Sequence, residues 1–433
     1  MMKIAGLLLF VLFTISMQPI FSLNLNMPVE RSKGDFDFDI LLHNTRSEKP
    51  DTSRLECYFK TSFERLQFVK AGSDSFKAEI EITIDILSSK GEPVVFKKSV
   101  ETIEVDDFNL VGSASNYHSA YTCFELPPDD YEVTVRVKDL ETDLEGEAVQ
   151  TVTLRDFSLT YGEFSDIMIL DQAPEVTAKG TKFTPRIGNS HNGINKLFSH
   201  FYIYNLLDST DAKLKYWMVY SEDNIGEENE LSVQSKNGVA EVLLELSFND
   251  FAHGTFLLKL SLQTRGAEVL QEKEIKLFVE GVPPQFETFE QAVKALKYLG
   301  EKKEYQQIVK AAGTEKYRQF VKFWKKRDPT PLTSENELRN EYYGRVVYAN
   351  QKYHHMGREG WQTDRGWVYV MLGPPDSVER NPFVKEPSLE GKNIKAIQVW
   401  TYYKFNRSLY FYDDIGFGNY WLANTLVFYD MIR

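Results

Sequence analysis

The chain has 433 residues, room for two to four domains, and 42% of them are hydrophobic, an ordinary globular proportion. Its formal net charge of -13 excludes a nucleic-acid binder, which needs concentrated positive surface, and a polybasic membrane-surface role. Aromatic residues make up 14%, a bias that suits β-rich cores more than an all-helical protein.

Taken from its start, the chain opens with Met1-Met2-Lys3 and an apolar or small run from Ile4 to Ile15, broken by Gln18 and Pro19. This reads as a secretory signal peptide over residues 1–22, cleaved near Ser22-Leu23. The run is shorter than the roughly 20 residues a spanning helix needs, so the mature protein is expected to keep no stable transmembrane anchor. With no cysteine beside the cleavage point, a lipoprotein is not expected. The expected location is exported, in the periplasm or on the cell surface. Export leaves a disulfide between Cys57 and Cys123 open alongside two buried thiols.

Residues 23–157 read as the first domain: from Phe36 to about Asp156 the chain alternates apolar and polar with period two, as in Ala78 to Ile86 and Tyr131 to Val137, with turn signals at Ser88 to Gly91 and Pro127 to Asp130. An immunoglobulin-like antiparallel β-sandwich is the reading. A second sandwich is expected over residues 158–281, with strands at Leu197 to Leu206, Leu214 to Tyr220, Val239 to Leu246 and Thr255 to Gln263 and a hairpin tip at Ser221 to Ser235.

A helical connector follows over residues 282–357. Thr288 with Gln291 forms a capping box, as does Ser334 with Glu337 before the longest helix, whose apolar stripe is Leu338, Tyr342, Val346, Ala349 and Tyr353. Asp328-Pro329-Thr330-Pro331 stops the helix before it. On the long helix Arg339 and Arg345 sit amid Glu335, Glu337 and Glu341 and read as surface ion pairs, with the alternative that Arg345 turns inward to hold the loop at Gly360. His354 and His355 point too far apart on a helix to share a metal.

The last segment, residues 358–433, reads as a small α+β domain, one folding unit with the connector. It begins Gly360-Trp361-Gln362-Thr363-Asp364-Arg365-Gly366. The apolar run Trp367 to Leu372 then reads as one buried strand, and Gly373-Pro374-Pro375-Asp376 as a rigid turn. Ile397 to Tyr403 and Ser408 to Asp413 read as a hairpin. Within the motif, Asp364 is suited to accept backbone amides and Arg365 to offer a planar fork of donors. Thr363 is suited to cap a turn, and Trp361 either covers the loop or stacks on a ligand.

These residues carry a family resemblance. From about Pro284 to Arg433 the chain resembles the GWxTD domain, for which Gly360 to Asp364 fulfil the naming pattern. Phe323 to Pro329, Asn336-Glu337, Tyr348-Ala349-Asn350, Val399 to Tyr402 and Phe417 to Tyr420 resemble it too. The resemblance implies an architecture and no reaction, no cofactor and no catalytic residue.

No Ser-His-Asp signature, metal-binding HExxH or phosphate loop is present. The expectation is therefore an exported binding or scaffolding protein of the cell envelope with a protein or polymer partner. It would act through Trp361, Thr363, Asp364, Arg365, Gly366, Gly373, Pro374, Pro375, Asp376, Arg345 and Trp400. Two alternatives stand: a carbohydrate-active hydrolase drawing on Asp364, Asp376, Asp413 and Asp414 with Trp361 and Trp400 as sugar platforms, and a structural subunit of a secretion or surface-attachment machine.

Overall fold

The computed structural model describes residues 30–432 apart from 73–74, 108–109, 112–115, 178–179, 208–211, 222–223, 249–250, 265–266, 332–335 and 382–393, and the backbone of residues 20–21. The signal-peptide reading otherwise lies outside the described residues, as does Ser334. Of the described residues 47% are strand and 21% helical, arranged as several antiparallel sheets and a few helices. No helix among the described residues is long and apolar enough to cross a membrane. Contacts divide the chain into two compact units, one of Met1–Gly188, Phe198–Glu245 and Phe256–Ile275, the other of Asn189–Leu197, Leu246–Thr255 and Lys276–Arg433.

In the first unit, strands Asp39–Arg46, Ser53–Ser62 and Tyr117–Leu126 form one antiparallel sheet, and Phe76–Ser88, Pro93–Val105, Asp130–Asp139 and Glu145–Thr153 form most of another. Alternate residues of both sheets meet in one core, Leu42, Leu55 and Cys57 from the first with Ile82, Ile84 and Val135 from the second. The strict alternation of burial along Ser53–Ser62 is the direct result of the two-residue repeat of a pleated strand. Further along, Ala212–Ser221 pairs with Gly254–Thr264, and Met168–Leu170 with Lys196–Tyr204. The segment read as a hairpin tip after Ser221 instead returns as strand, Asn229–Val233, against Ala212–Tyr216.

The same repeat decides the cysteines. Cys57 lies opposite Thr122, so Cys123, one residue on, lies opposite Glu56 and points to the other face of the sheet. Both thiols are free, Cys57 buried in the core and Cys123 half-buried. The disulfide left open from composition is excluded by register.

The second unit is built on helices α1 (Phe289–Ala295), α2 (Lys302–Lys310), α3 (Gly313–Lys325), α4 (Glu337–Tyr353), α5 (Asp364–Leu372) and α6 (Thr425–Ile432). Thr288 and Gln291 form the expected reciprocal cap of α1. The cap of α4 is Asn336, not Ser334: its Oδ1 accepts from the Arg339 amide at 2.8 Å, while its Nδ2 donates to the Trp324 carbonyl at 2.9 Å. One buried amide therefore serves the start of α4 and the end of α3. Tyr342, Tyr343, Val346 and Ala349 bury the inner face of α4, and the Tyr343 hydroxyl donates to the Ala292 carbonyl of α1 at 3.1 Å. A four-stranded antiparallel sheet, Ser377–Asn381, Ala396–Tyr402, Arg407–Asp413 and Trp421–Leu422, completes the unit.

One expectation is corrected outright. Trp367 to Leu372 is not a strand but most of α5. An unbroken apolar run carries no period, and the local ends decide: Thr363 caps the start and Gly373, at φ 79°, closes the end.

Candidate functional site

The motif is a stack of three backbones. A Cβ on Gly360 would fall 1.9 Å from the Ala349 carbonyl oxygen of α4, and a Cβ on Gly366 would fall 1.8 Å from the Gly360 carbonyl oxygen. Both positions require glycine for close approach, so the turn at Gly360–Gln362 lies directly between α4 and α5. Thr363 sews the layers together. Its Oγ1 accepts from the Gly366 amide at 3.2 Å and donates to the Gly360 carbonyl at 2.7 Å. Asp364 sits in the first turn of α5, where a carboxylate favours the helix dipole, and its Oδ2 accepts from the Leu422 amide at 2.7 Å.

Trp361 is 3% exposed. Its amide donates to Asn350 Oδ1 at 3.2 Å, its indole donates to the Glu359 carboxylate, and its ring stands edge-on to Tyr298 at 5.4 Å. Neither it nor Trp400, which is buried against Phe411 and Tyr353, is placed to stack on a sugar. The platform role weighed for these two residues is thus contradicted.

Arg365 reaches from α5 to the far end of the sheet. It donates to the Gly418 carbonyl at 3.1 Å and to Gln398 Oε1 at 3.4 Å. Its guanidinium lies 4.1 Å from the Tyr420 ring centre and 5.3 Å from that of Tyr353. Burial holds its pKa below the ordinary value, against the pull of the two phenols and Asp413. Asp413 is itself buried and accepts from the amides of Ile415, Gly416 and Gly418 at 3.2, 2.8 and 2.6 Å. Loop 413–418 is thereby fixed from two sides, and at its tip Phe417 is 73% exposed.

The remaining motif residues gather at the other end of α5, about 13 Å away for nine residues of helix. Arg345 donates to the Val370 carbonyl at 3.3 Å and pairs with Glu341. Its guanidinium carbon lies 3.2 Å from where a Gly373 Cβ would be. It caps the end of α5 instead of holding the Gly360 loop, while also forming the ion pair expected of it. Past Pro374 and Pro375, Asp376 accepts from the Tyr403 amide at 2.7 Å, and the Tyr402 hydroxyl donates to the Gly373 carbonyl at 3.1 Å. These contacts fasten the turn to the hairpin.

Asp364, Asp376 and Asp413 therefore share one chemistry: each is a carboxylate occupied by main-chain amides, which pins a loop. Among the described residues, no group of three His, Cys, Asp or Glu side chains could hold a metal ion. Sequence reasoning missed Tyr353, Tyr420 and Gln398 as the setting of Arg365. Tyr353 falls on the apolar stripe of α4, and nothing in its spacing marks a ring that lies against an arginine from another helix.

Comparison with known proteins adds the following. A family model described as the GWxTD domain matches residues 263–408. A dihydroorotase of Fusobacterium nucleatum is 30% identical over 123 residues, 26% of this chain, and the chain spans only 27% of that relative's length. Among solved structures, an ICAM-5 D1-D4 ectodomain fragment aligns over 59% of this chain and 71% of its own, at 9% identity and a TM-score of 0.18. The β-glucuronidase of Parabacteroides merdae aligns over 51% of this chain and 28% of its own, at 11% identity and a TM-score of 0.20.

Proposed function

We propose that this chain, a member of the GWxTD domain-containing family through its residues 263–408, is an exported cell-envelope protein that binds or scaffolds another protein through its C-terminal unit. One observation carries the reading: Phe417 stands 73% exposed at the tip of a loop held by both Asp413 and Arg365. An exposed aromatic side chain on an otherwise mobile loop would lose much conformational freedom on binding. Here that cost is met within the fold, and a preordered aromatic anchor is the kind of residue that dominates protein interfaces. The motif, in this reading, is the frame and loop 413–418 is the contact. The sheet pairs of the first unit are taken as immunoglobulin-like sandwiches that act as spacer or binding modules, and the apolar run after Lys3 as the export signal.

The experiment is crosslinking capture from envelope fractions with wild type, Phe417→Ser and Val321→Ser, a control exposed apolar residue on α3. Each variant is first shown to fold by circular dichroism. A defined partner kept by wild type and Val321→Ser but lost by Phe417→Ser supports the reading. Recovery of that partner by Phe417→Ser at wild-type yield removes the loop as the contact.

A further inference from the structure

Glycine 344 lies in the middle of α4, where glycine weakens a helix relative to alanine. Nothing lies within 4 Å of the place its Cβ would occupy, so no packing partner in the chain demands it. What its missing side chain leaves is space. Beside it runs a groove of about 410 Å³ between α4 and the turn Gly281 to Gln285, within the size range of ligand sites. Val282, Pro283 and Val347 give it an apolar wall, Gln285 and Asn340 bring amide groups, and Arg339 brings a charge.

Arg339 is the second observation. Its guanidinium lies so close over Gly281 that a Cβ there would meet Nη1 at 2.7 Å. Among the described residues it has no hydrogen-bond or ion-pair partner for that group. The nearby acids are engaged elsewhere: Glu341 with Arg345, Glu337 with the Thr330 hydroxyl, and Glu280 facing the Tyr317 hydroxyl. An arginine fork left without an acceptor, beside apolar surface and a cleared helix face, matches a planar monoanion on an apolar body. No lysine and no second arginine lines the groove, which disfavours a phosphate dianion.

We propose that this groove binds the C-terminal residue of a peptide or protein, its carboxylate on Arg339 and its apolar side chain against Val282, Pro283 and Val347. The site is separate from loop 413–418 and stands whether or not Phe417 is a contact. The test uses the intact protein and N-acetylleucine, N-acetylleucinamide and isovalerate as probes, read by calorimetry and ligand-observed NMR. N-acetylleucine is expected to bind saturably, with the uncharged amide and the Arg339→Met variant each weaker by at least about tenfold. Isovalerate, which lacks the peptide group, is expected to bind more weakly than N-acetylleucine. Gly344→Leu is expected to abolish binding while the melting temperature holds or rises, which separates blocking the groove from unfolding. Absence of saturable N-acetylleucine binding up to about 10 mM overturns the proposal. So does equal binding of the amide, equal binding by Arg339→Met, or isovalerate binding as tightly as the peptide mimic.

Discussion

The Gly366 Cα and the Gly360 carbonyl oxygen are in direct contact, with only 1.8 Å between that oxygen and the position a Gly366 Cβ would take. A similar gap of 1.9 Å separates a Gly360 Cβ from the Ala349 carbonyl oxygen. The two glycines of the motif are thus consecutive rungs between α4 and α5. The residues between and after them finish the joint: Trp361 plugs the core, Thr363 caps α5, Asp364 holds Leu422 and Arg365 holds Gly418.

Thr363 should divide its neighbours by chemistry. Thr363→Ser keeps the hydroxyl that accepts from Gly366 and donates to Gly360, and is expected to stay within about 0.5 kcal/mol of wild type. Thr363→Ala loses the cap and leaves the buried Gly366 amide without its acceptor, while the Gly360 carbonyl keeps the residue-363 backbone amide at 3.1 Å, and is expected to cost about 1–2 kcal/mol in denaturant unfolding.

Which of these features a reader of the sequence could find follows from how local each one is. The Thr288 to Gln291 cap was legible because both partners lie within one turn. The long strands of the first unit were legible because burial on one face writes a period of two. Trp367 to Leu372 was not, because six apolar residues in a row fit a buried strand as well as a helix; Thr363-Asp364 before the run and Gly373 after it were the available signal. The exposure of Phe417 was hidden altogether, since it depends on Asp413 and Arg365 converging on Gly418 from 5 and 53 positions away.

The cysteines give a test of register. Because Cys57 and Cys123 face opposite sides of one sheet, mass under non-reducing and reducing conditions should be identical in the folded protein. Burial also pushes the Cys57 thiol up, which suppresses thiolate. A maleimide is expected to label Cys123 in the native state and Cys57 only after denaturant is added. A mass two hydrogens short of the dithiol would show the register to be wrong.

The second unit should lose stability on mild acidification through His253. Its Nδ1 accepts from the Val279 amide at 3.0 Å and its Nε2 donates to the Pro283 carbonyl at 3.2 Å, a pattern that fits only the neutral ring. Burial accordingly holds its pKa below the ordinary 6.5. Below 6.5 the unfolded chain takes up a proton that the folded one refuses, so the contribution is whole above that pH and lost as pH falls beneath it. Unfolding midpoints followed from about pH 8 to about pH 5 should fall for wild type, and the fall should be shallower in His253→Gln. A midpoint that rises on acidification contradicts this assignment.

The most direct test of the motif as a frame is the equilibrium unfolding of Gly366→Ala beside Phe417→Ser in the intact protein. The single methyl of Gly366→Ala must displace a carbonyl at 1.8 Å, so the account predicts a loss of at least about 3 kcal/mol. Phe417→Ser, at an exposed tip, should stay within about 0.5 kcal/mol of wild type. A Gly366→Ala protein that unfolds with wild-type stability would contradict the stacked-backbone account of the motif.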